Sequence, residues 1–408
     1  MNYVFPKIET IDDVLPHVEG RDEFVVADRG DHTIINYVAL TSDTFRPDVE
    51  DEGNLIRREC RGLIFDNSTR EIVRRPFHKF FNAGEREETM LDKLDLTQDH
   101  IVMIKLDGSM IAPYIVWGDQ ISSTTKTLYF GTKMGYTDVA KQAEAYVNIQ
   151  EELGVIHYNE FIIRMIGIGL TPIFEWTSRQ QRIVLNYPED ALTLLALRDM
   201  KSGNYITRHG LELYTEQYNI PLVPVYKSTN NINELVHMTR NEVDNEGYVV
   251  QFDDGHMVKI KSDWYVAIHK TKENLLYERY VVELILNNTL DDVLSFVTDD
   301  DKKRLQEYAD VFIREYTRFC MFVAHNSWSD IFDYQIDRKT FALQHQKKYP
   351  GVVQIIFRHG WSPEVKNHTR NSWNELIKTE LEKVFRHNCL SNTKLAEFKK
   401  LIGFTFTW

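Results

Sequence analysis

The chain has 408 residues, 43% of them hydrophobic and 12% aromatic, with a formal net charge of −13. That length suits two or three domains, and that composition packs cores rather than leaving a disordered chain. The charge excludes a nonspecific nucleic-acid coat, which needs a basic surface, but leaves room for one local basic cleft. No apolar run approaches the ~20 residues of a membrane span, and Met1 to Thr10 contains no signal-peptide core. Cys60, Cys320 and Cys389 are widely spaced and form no Cys-x-x-Cys. They point to a reducing cytoplasm, with neither a disulfide frame nor a zinc knuckle. The acidic runs Asp48 to Glu52 and Asp299 to Asp301 read as solvated loops and helix starts.

In chain order, Phe24 to Ala27 and Thr33 to Leu40 read as strands around the turn Asp28-Arg29-Gly30-Asp31. Tyr37 reads as a cross-strand packing tyrosine or as a phenol free to meet a ligand. Arg61 and Lys79 flank two short strands, Leu63 to Phe65 and Glu71 to Val73. Ile101-Val102-Met103 is a buried strand, and Ile104-Lys105-Leu106-Asp107-Gly108-Ser109 follows it. Asp107-Gly108 signals a sharp turn into a second apolar run, Met110 to Trp117, so Lys105 is expected at the mouth of a strand-turn-strand unit. A hairpin is expected at Gly118-Asp119, with Lys126 at its end. Thr137 to Leu153 has helical spacing, and Leu170 to Trp176, Arg182 to Asn186 and Leu192 to Leu197 read as strands. Tyr248-Val249-Val250 and Val258 to Lys261 pair across Asp253-Asp254-Gly255.

No long alternation of strand and helix appears, so the fold class is α+β, mostly antiparallel with inserted helices. From about Lys270 glycine becomes rare. Leu305, Tyr308, Phe312, Tyr316, Phe319 and Val323 recur three or four apart, an amphipathic helix. Ser372-x-x-Glu375 reads as a capping box opening another. The expected division is residues 1–268 and an all-helical domain, 269–408.

Alone, Lys105-x-Asp107-Gly108 is a lysine beside a common turn. The downstream residues change its meaning. Glu175 lies between Phe174 and Trp176, and a buried carboxylate needs a cation, either a lysine or a metal. Lys259 and Lys261 leave one face of their strand, where like charges repel. Glu246 or a bound anion between them would remove that penalty.

In order along the chain stand Glu59-Cys60-Arg61-Gly62, Arg75-Pro76-Phe77-His78-Lys79-Phe80-Phe81-Asn82, Lys105-x-Asp107-Gly108, Phe174-Glu175-Trp176, Glu246-Gly247 and Lys259-Ile260-Lys261-Ser262-Asp263-Trp264-Tyr265. This series resembles the ordered motifs of the covalent nucleotidyltransferases, the ATP-dependent ligases and capping enzymes. It is most similar to the bacteriophage RNA ligase 1 family, above all from about Arg57 to His269. Asp337-Arg338-Lys339-Thr340 extends the likeness toward the C-terminus.

The resemblance implies an ATP-dependent RNA ligase, with an antiparallel-sheet nucleotidyltransferase domain at 1–268 and a helical domain that selects the RNA. Lys105 would take AMP from ATP, pass it to an RNA 5′-phosphate, and a 3′-hydroxyl would then displace it. Lys105, Glu175, Lys259 and Lys261 would be catalytic. The nucleotide would meet Tyr37, Arg61, Lys79, Ile104, Lys105, Asp107, Gly108, Lys126, Glu246, Gly247, Lys259 and Lys261. Magnesium would lie near Glu175, and Asp291, or equally Asp292, matches a second acidic site. Leu106 and Ala112 depart from the family, standing where an acidic residue and a serine can occur. The implied substrate is RNA with 5′-phosphate and 3′-hydroxyl ends, a nicked tRNA anticodon loop, in the cytoplasm of a phage-infected cell. Arg338, Lys339, Lys347, Lys348 and Arg358 are candidate RNA contacts. No membrane or protein partner is expected. The competing readings are a non-catalytic RNA-end or nucleotide-binding protein, and a guanylyltransferase or DNA ligase. No OB-fold pattern, which the last two normally need, follows residue 270.

Overall fold

The computed structural model describes residues 3–38, 44–45, 51–117, 126–180, 182–226, 229–294, 297–346, 350–362, 367–388, 391–406 and 408. The chain divides into two compact units, Met1–Ala267 and Ile268–Trp408.

Every strand among the described residues lies in the first unit. β1 (Phe24–Asp28), β2 (His32–Tyr37), β3 (Arg61–Asp66) and β4 (Ile72–Arg74) form one antiparallel sheet in sequence order. The remaining strands are β5 (Phe81–Asn82), β6 (His100–Ile104), β7 (Ser109–Ile111), β8 (Tyr114–Trp117), β9 (Lys126–Tyr129), β10 (Leu170–Thr177), β11 (Ala191–Asp199), β12 (Val225–Tyr226), β13 (Gly247–Phe252) and β14 (Met257–Lys261). They build a five-stranded sheet in the order β12-β6-β13-β14-β5, a three-stranded sheet β11-β10-β7, and the β8-β9 pair. All these strand pairs are antiparallel except β14 with β5.

The five-stranded sheet buries Val102, Val250, Val258 and Ile260 with Leu235 and Val236 of the helix Ile232–Arg240. The alternate residues Lys259 and Lys261 stay half-buried on the other face of β14, as a period of two requires. The helix Asp138–Leu153 starts where its cap predicts, with the Thr137 hydroxyl accepting from the Ala140 amide, and stops at Gly154 in the left-handed region. The next helix, Tyr158–Gly167, was not foreseen. It buries Tyr158, Phe161, Ile162 and Met165 in the core beneath β10 and β11.

Three expectations are corrected. The apolar run Met110 to Trp117 is not one strand. Pro113 lies between β7 and β8, and the two join different sheets. Proline supplies no amide for a ladder, so the run divides there. Consequently β6 and β7 are not a hairpin, and the loop carrying Lys105 crosses from the five-stranded sheet to the three-stranded one. Arg182 to Asn186 is not a strand either, since the amides of Val184 and Leu185 donate to the Asp107 carboxylate instead of a ladder. In the second unit the capping box is Thr369 with Ser372, three residues earlier than expected.

The described residues of the second unit are helical or irregular, with no strand. Its 30-residue helix Asp299–Trp328 buries Leu305, Tyr308, Phe312, Tyr316, Phe319 and Val323 in one core with Ile377 and Phe385. No helix among the described residues is long and apolar enough to cross a membrane.

Candidate nucleotide site

The site is organised by one row across three strands. The Lys105 amide donates to the Gly247 carbonyl at 2.8 Å, and Gly247 pairs with Lys261. Gly247 sits at φ +131°, and a Cβ there would lie 2.0 Å from the Ile260 carbonyl oxygen, so only glycine fits. With no side chain between them, Lys105 and Lys261 converge on the neighbouring carboxylate. Glu246 Oε1 takes the Lys105 ammonium at 2.8 Å and that of Lys261 at 3.0 Å, and Glu246 is only 2% exposed. The expected bridge between Lys259 and Lys261 is thus a bridge between Lys105 and Lys261.

Lys259 has no carboxylate partner among the described residues. Its Nζ stands 5.2 Å from the centre of the Phe80 ring. Burial, reinforced by the charges of Lys79, Arg61 and Lys105, lowers its pKa to about 7. Lys79 behaves similarly. Its Nζ lies 5.7 Å from the Tyr37 ring and 5.2 Å from that of Phe81, and burial with the Arg61 charge lowers its pKa.

On the same tyrosine, at 5.0 Å, lies Lys133, which the sequence reading missed. Burial and Arg61 lower its pKa also. Its backbone rests on the strand that carries Arg61, because a Cβ at Gly62 would approach the Lys133 Cα to 2.9 Å. The available signal was a lysine between two turn glycines, Gly131-Thr132-Lys133-Met134-Gly135. The side chain of Lys126 lies outside the described residues, as do Lys347 and Lys348.

Glu175 stands in β10, opposite Met110 of β7. A Cβ on Gly108 would lie 3.1 Å from the Glu175 Cγ and 2.3 Å from the Trp176 carbonyl oxygen. The loop after Lys105 therefore presses directly on the strand that carries Glu175. The carboxylate has no hydrogen-bond or ion-pair partner among the described residues. Burial raises its pKa to about 7 despite the opposing pull of Lys105.

Asp107 is already engaged inside the protein. Its carboxylate is 4% exposed and accepts from the amides of Val184 and Leu185 and from the Tyr265 hydroxyl, each at 2.7 Å. These bonds use both oxygens, so Asp107 braces the loop after Lys105 against residues 184, 185 and 265.

Arg61, Phe80, Lys105, Glu175, Lys259 and Lys261 line one cavity of about 270 Å³, together with Ile104 and Gly108. A larger cavity of about 1160 Å³ opens beside Tyr3 and Tyr205. It gathers no comparable charge, because its cations Lys7, Lys201 and Arg208 face Glu9 or Glu212. Asp291 is exposed on the helix Leu290–Leu294 of the second unit. No group of three His, Cys, Asp or Glu side chains that could hold a metal is found among the described residues.

Half-buried cations without carboxylates await an anion, and a lysine amine stands among them. Residues 59–265 match a family profile described as RNA ligase. The chain belongs to this RNA ligase family. A protein of Thermovibrio ammonificans assigned as an RNA ligase is 29% identical over 320 residues, covering 74% of this chain and 77% of that one. RNA ligase 1 of bacteriophage TS2126 is 25% identical over 246 residues, 58% of each chain. Among solved structures, an archaeal ATP-dependent RNA ligase aligns at TM-score 0.42 and 13% identity, over 74% of this chain and 78% of its own. The phage-type RNA ligase family read from the motifs is therefore the family of the chain, and its profile spans every first-unit residue of the site from Arg61 to Lys261.

Proposed function

We propose that this RNA ligase uses ATP to join a 5′-phosphate to a 3′-hydroxyl through a lysyl-AMP on Lys105 and an RNA-adenylate. The observation that carries the reading is the row of Lys105, Gly247 and Lys261 beside Lys259, which has no carboxylate ion-pair partner among the described residues. The Lys105 amine attacks the α-phosphorus, the P–N bond forms, and the bond to the diphosphate breaks. The RNA 5′-phosphate then takes the AMP, and a 3′-hydroxyl displaces it. Each step is an in-line transfer, so the protein's task is positioning and charge compensation. Lys259 and Lys261 hold the α-phosphate, while Arg61, Lys79 and Lys133 hold the outer phosphates.

A magnesium ion fits beside Glu175. That carboxylate lacks a partner, and Mg²⁺ is usually held by one or two carboxylates, waters and substrate phosphates rather than by a protein cage. It would neutralise charge on the diphosphate. Asp291 would be a second acidic site. The test is transfer of label from α-labelled ATP to the protein, against GTP, followed by joining of RNA. Labelling by GTP alone, or none by either, would overturn the reading.

Lys259 yields a pH prediction. With its pKa near 7, it is largely neutral in the free protein above that pH, and a bound phosphate recharges it. AMP, whose phosphate takes the α position held by Lys259, should therefore bind with uptake of a proton above about pH 7, and bind more weakly as pH rises. Calorimetry in buffers of different ionisation enthalpy measures that uptake, which Lys259→Met should abolish.

The first unit is the adenylyltransferase domain in this proposal, and the second selects the RNA, with nicked tRNA as its preferred substrate in the cytoplasm of an infected cell. A chain ending after residue 267 should still form protein-bound AMP but lose its preference for nicked tRNA over a plain oligonucleotide. Loss of adenylylation in a folded fragment would draw the second unit into the chemistry.

A further inference from the structure

The loop that presents Lys133 also presents two apolar side chains that the phosphate chemistry does not use. Met134 is 48% exposed and Tyr136 is 45% exposed. Neither is a loose surface residue. Thr132 and Gly135 exchange two backbone hydrogen bonds, at 2.9 and 3.0 Å, which closes the turn. The Thr132 carbonyl accepts from the buried Arg74 guanidinium at 3.0 Å, and the Asn36 amide donates to the Met134 sulfur at 2.9 Å. A Cβ on Gly135 would strike Ile34 at 2.7 Å. The turn is thus pinned to β2 and β4.

Tyr136 is fixed in turn. Its hydroxyl donates to Glu144 at 2.6 Å, and the Tyr129 ring meets it edge-on at 6.1 Å and 70°. The Lys141 ammonium stands 5.8 Å from its ring centre. An aromatic side chain held this way has little rotamer freedom left to lose, so a planar ligand stacks on it at small entropic cost. The nearest acids are already engaged, Glu144 by Tyr136 and Asp138 by Lys141 at 2.9 Å. The surroundings are cationic, with Lys133 three positions before Tyr136 and Arg61 and Lys79 beside that lysine.

We propose that Tyr136, flanked by Met134 and Lys141, is a stacking platform for the 5′-terminal nucleobase of the RNA strand whose phosphate enters the Arg61, Lys79 and Lys133 cluster. This rests on the ligase reading above. A base is the occupant because the same short turn offers a cation for a phosphate and, next to it, a rigid ring. Single-stranded nucleic acid presents that alternation of charge and π-face, and stacking tolerates any base. Tyr136 touches no reacting atom. It is a binding residue for the RNA.

The experiment uses the full-length protein already carrying AMP. Transfer of AMP to a 5′-phosphorylated RNA is followed as the RNA concentration is raised. Tyr136→Ala should raise the half-saturating RNA concentration roughly tenfold or more, the effect of losing one stacked base. Tyr136→Trp should keep it near the wild-type value, and both variants should form protein-bound AMP from ATP alone at the normal rate. An RNA whose first nucleotide lacks its base should bind the wild-type protein as weakly as it binds Tyr136→Ala. Equal half-saturation for wild type and Tyr136→Ala, with normal protein-AMP, would overturn the platform alone. Absence of protein-AMP in the wild type would overturn the ligase reading and the platform with it.

Discussion

Lys105→Ala is expected to form no detectable protein-bound AMP, while its melting temperature stays close to that of the wild type. The first half follows from the row across β6, β13 and β14. Lys105 leaves the end of β6 at the seam of two sheets and lines the cavity with Arg61, Lys259 and Lys261. The other cations there have different duties. Arg61 presents a guanidinium fork suited to phosphate, and Lys259 and Lys261 stand on β14 rather than in the loop after β6. The second half follows from Glu246. Removing the Lys105 ammonium leaves that buried carboxylate still paired with Lys261 at 3.0 Å, so no uncompensated charge is created. Lys105→Arg separates the two contributions further. An arginine can keep the pair with Glu246 but does not lose its proton, so it should preserve stability and still form no adduct. Incubation with α-labelled ATP, denaturing gels and peptide mapping check this. AMP mapped to Lys259 or Lys261 in the wild type would remove Lys105 from the centre of the chemistry.

Much of this site was legible because its chemistry is written in short local patterns. The period of two put Lys259 and Lys261 on one face of β14, and the turn propensity of Asp107-Gly108 marked the loop after Lys105. What was not legible depends on which strand pairs with which. Met110 to Trp117 has the composition of one strand. Only Pro113 distinguishes β7 from β8, and nothing local says that they join different sheets. The partner of Glu246 was misplaced for the same reason, since Lys105 enters the row through a cross-strand register that no local pattern encodes. Lys133 was missed because its role comes from a contact with Gly62, about seventy residues away. The hydrogen bonds of Asp107 were not legible either, because its partners Val184, Leu185 and Tyr265 come from distant segments. The helix Tyr158–Gly167 escaped because its buried positions merge into the apolar strand that follows it.

Two carboxylates in this protein should respond to amidation in opposite ways. Glu59 is fully buried between Arg75 and Arg198, with contacts of 3.0 and 2.8 Å, and both guanidiniums are also fully buried. Burial pushes its pKa up, but the two charges outweigh it and hold the carboxylate at about 2. Glu59→Gln leaves two buried cations uncompensated, so it should cost about 3–5 kcal/mol. The stabilisation it removes is present above the ordinary carboxylate value of 4.5 and fades as pH falls toward 2. Glu175 is the reverse case. It has no hydrogen-bond or ion-pair partner among the described residues, and burial holds its pKa near 7. Between 4.5 and 7 the folded protein therefore binds more protons at this position than the unfolded chain does. Stability is lost as pH rises through that window. Glu175→Gln removes this loss, so its melting temperature should match the wild type at pH 5 and equal or exceed it at pH 8. Its rate of protein-AMP formation should fall by about 100-fold, the scale for losing a group that orders a metal and its waters. Thermal melts at both pH values with a single-turnover adenylylation assay measure the pair together. If Glu175→Gln instead melted well below the wild type at pH 8 and kept normal adenylylation, Glu175 would be a structural carboxylate like Glu59, and the metal would have to be sought elsewhere.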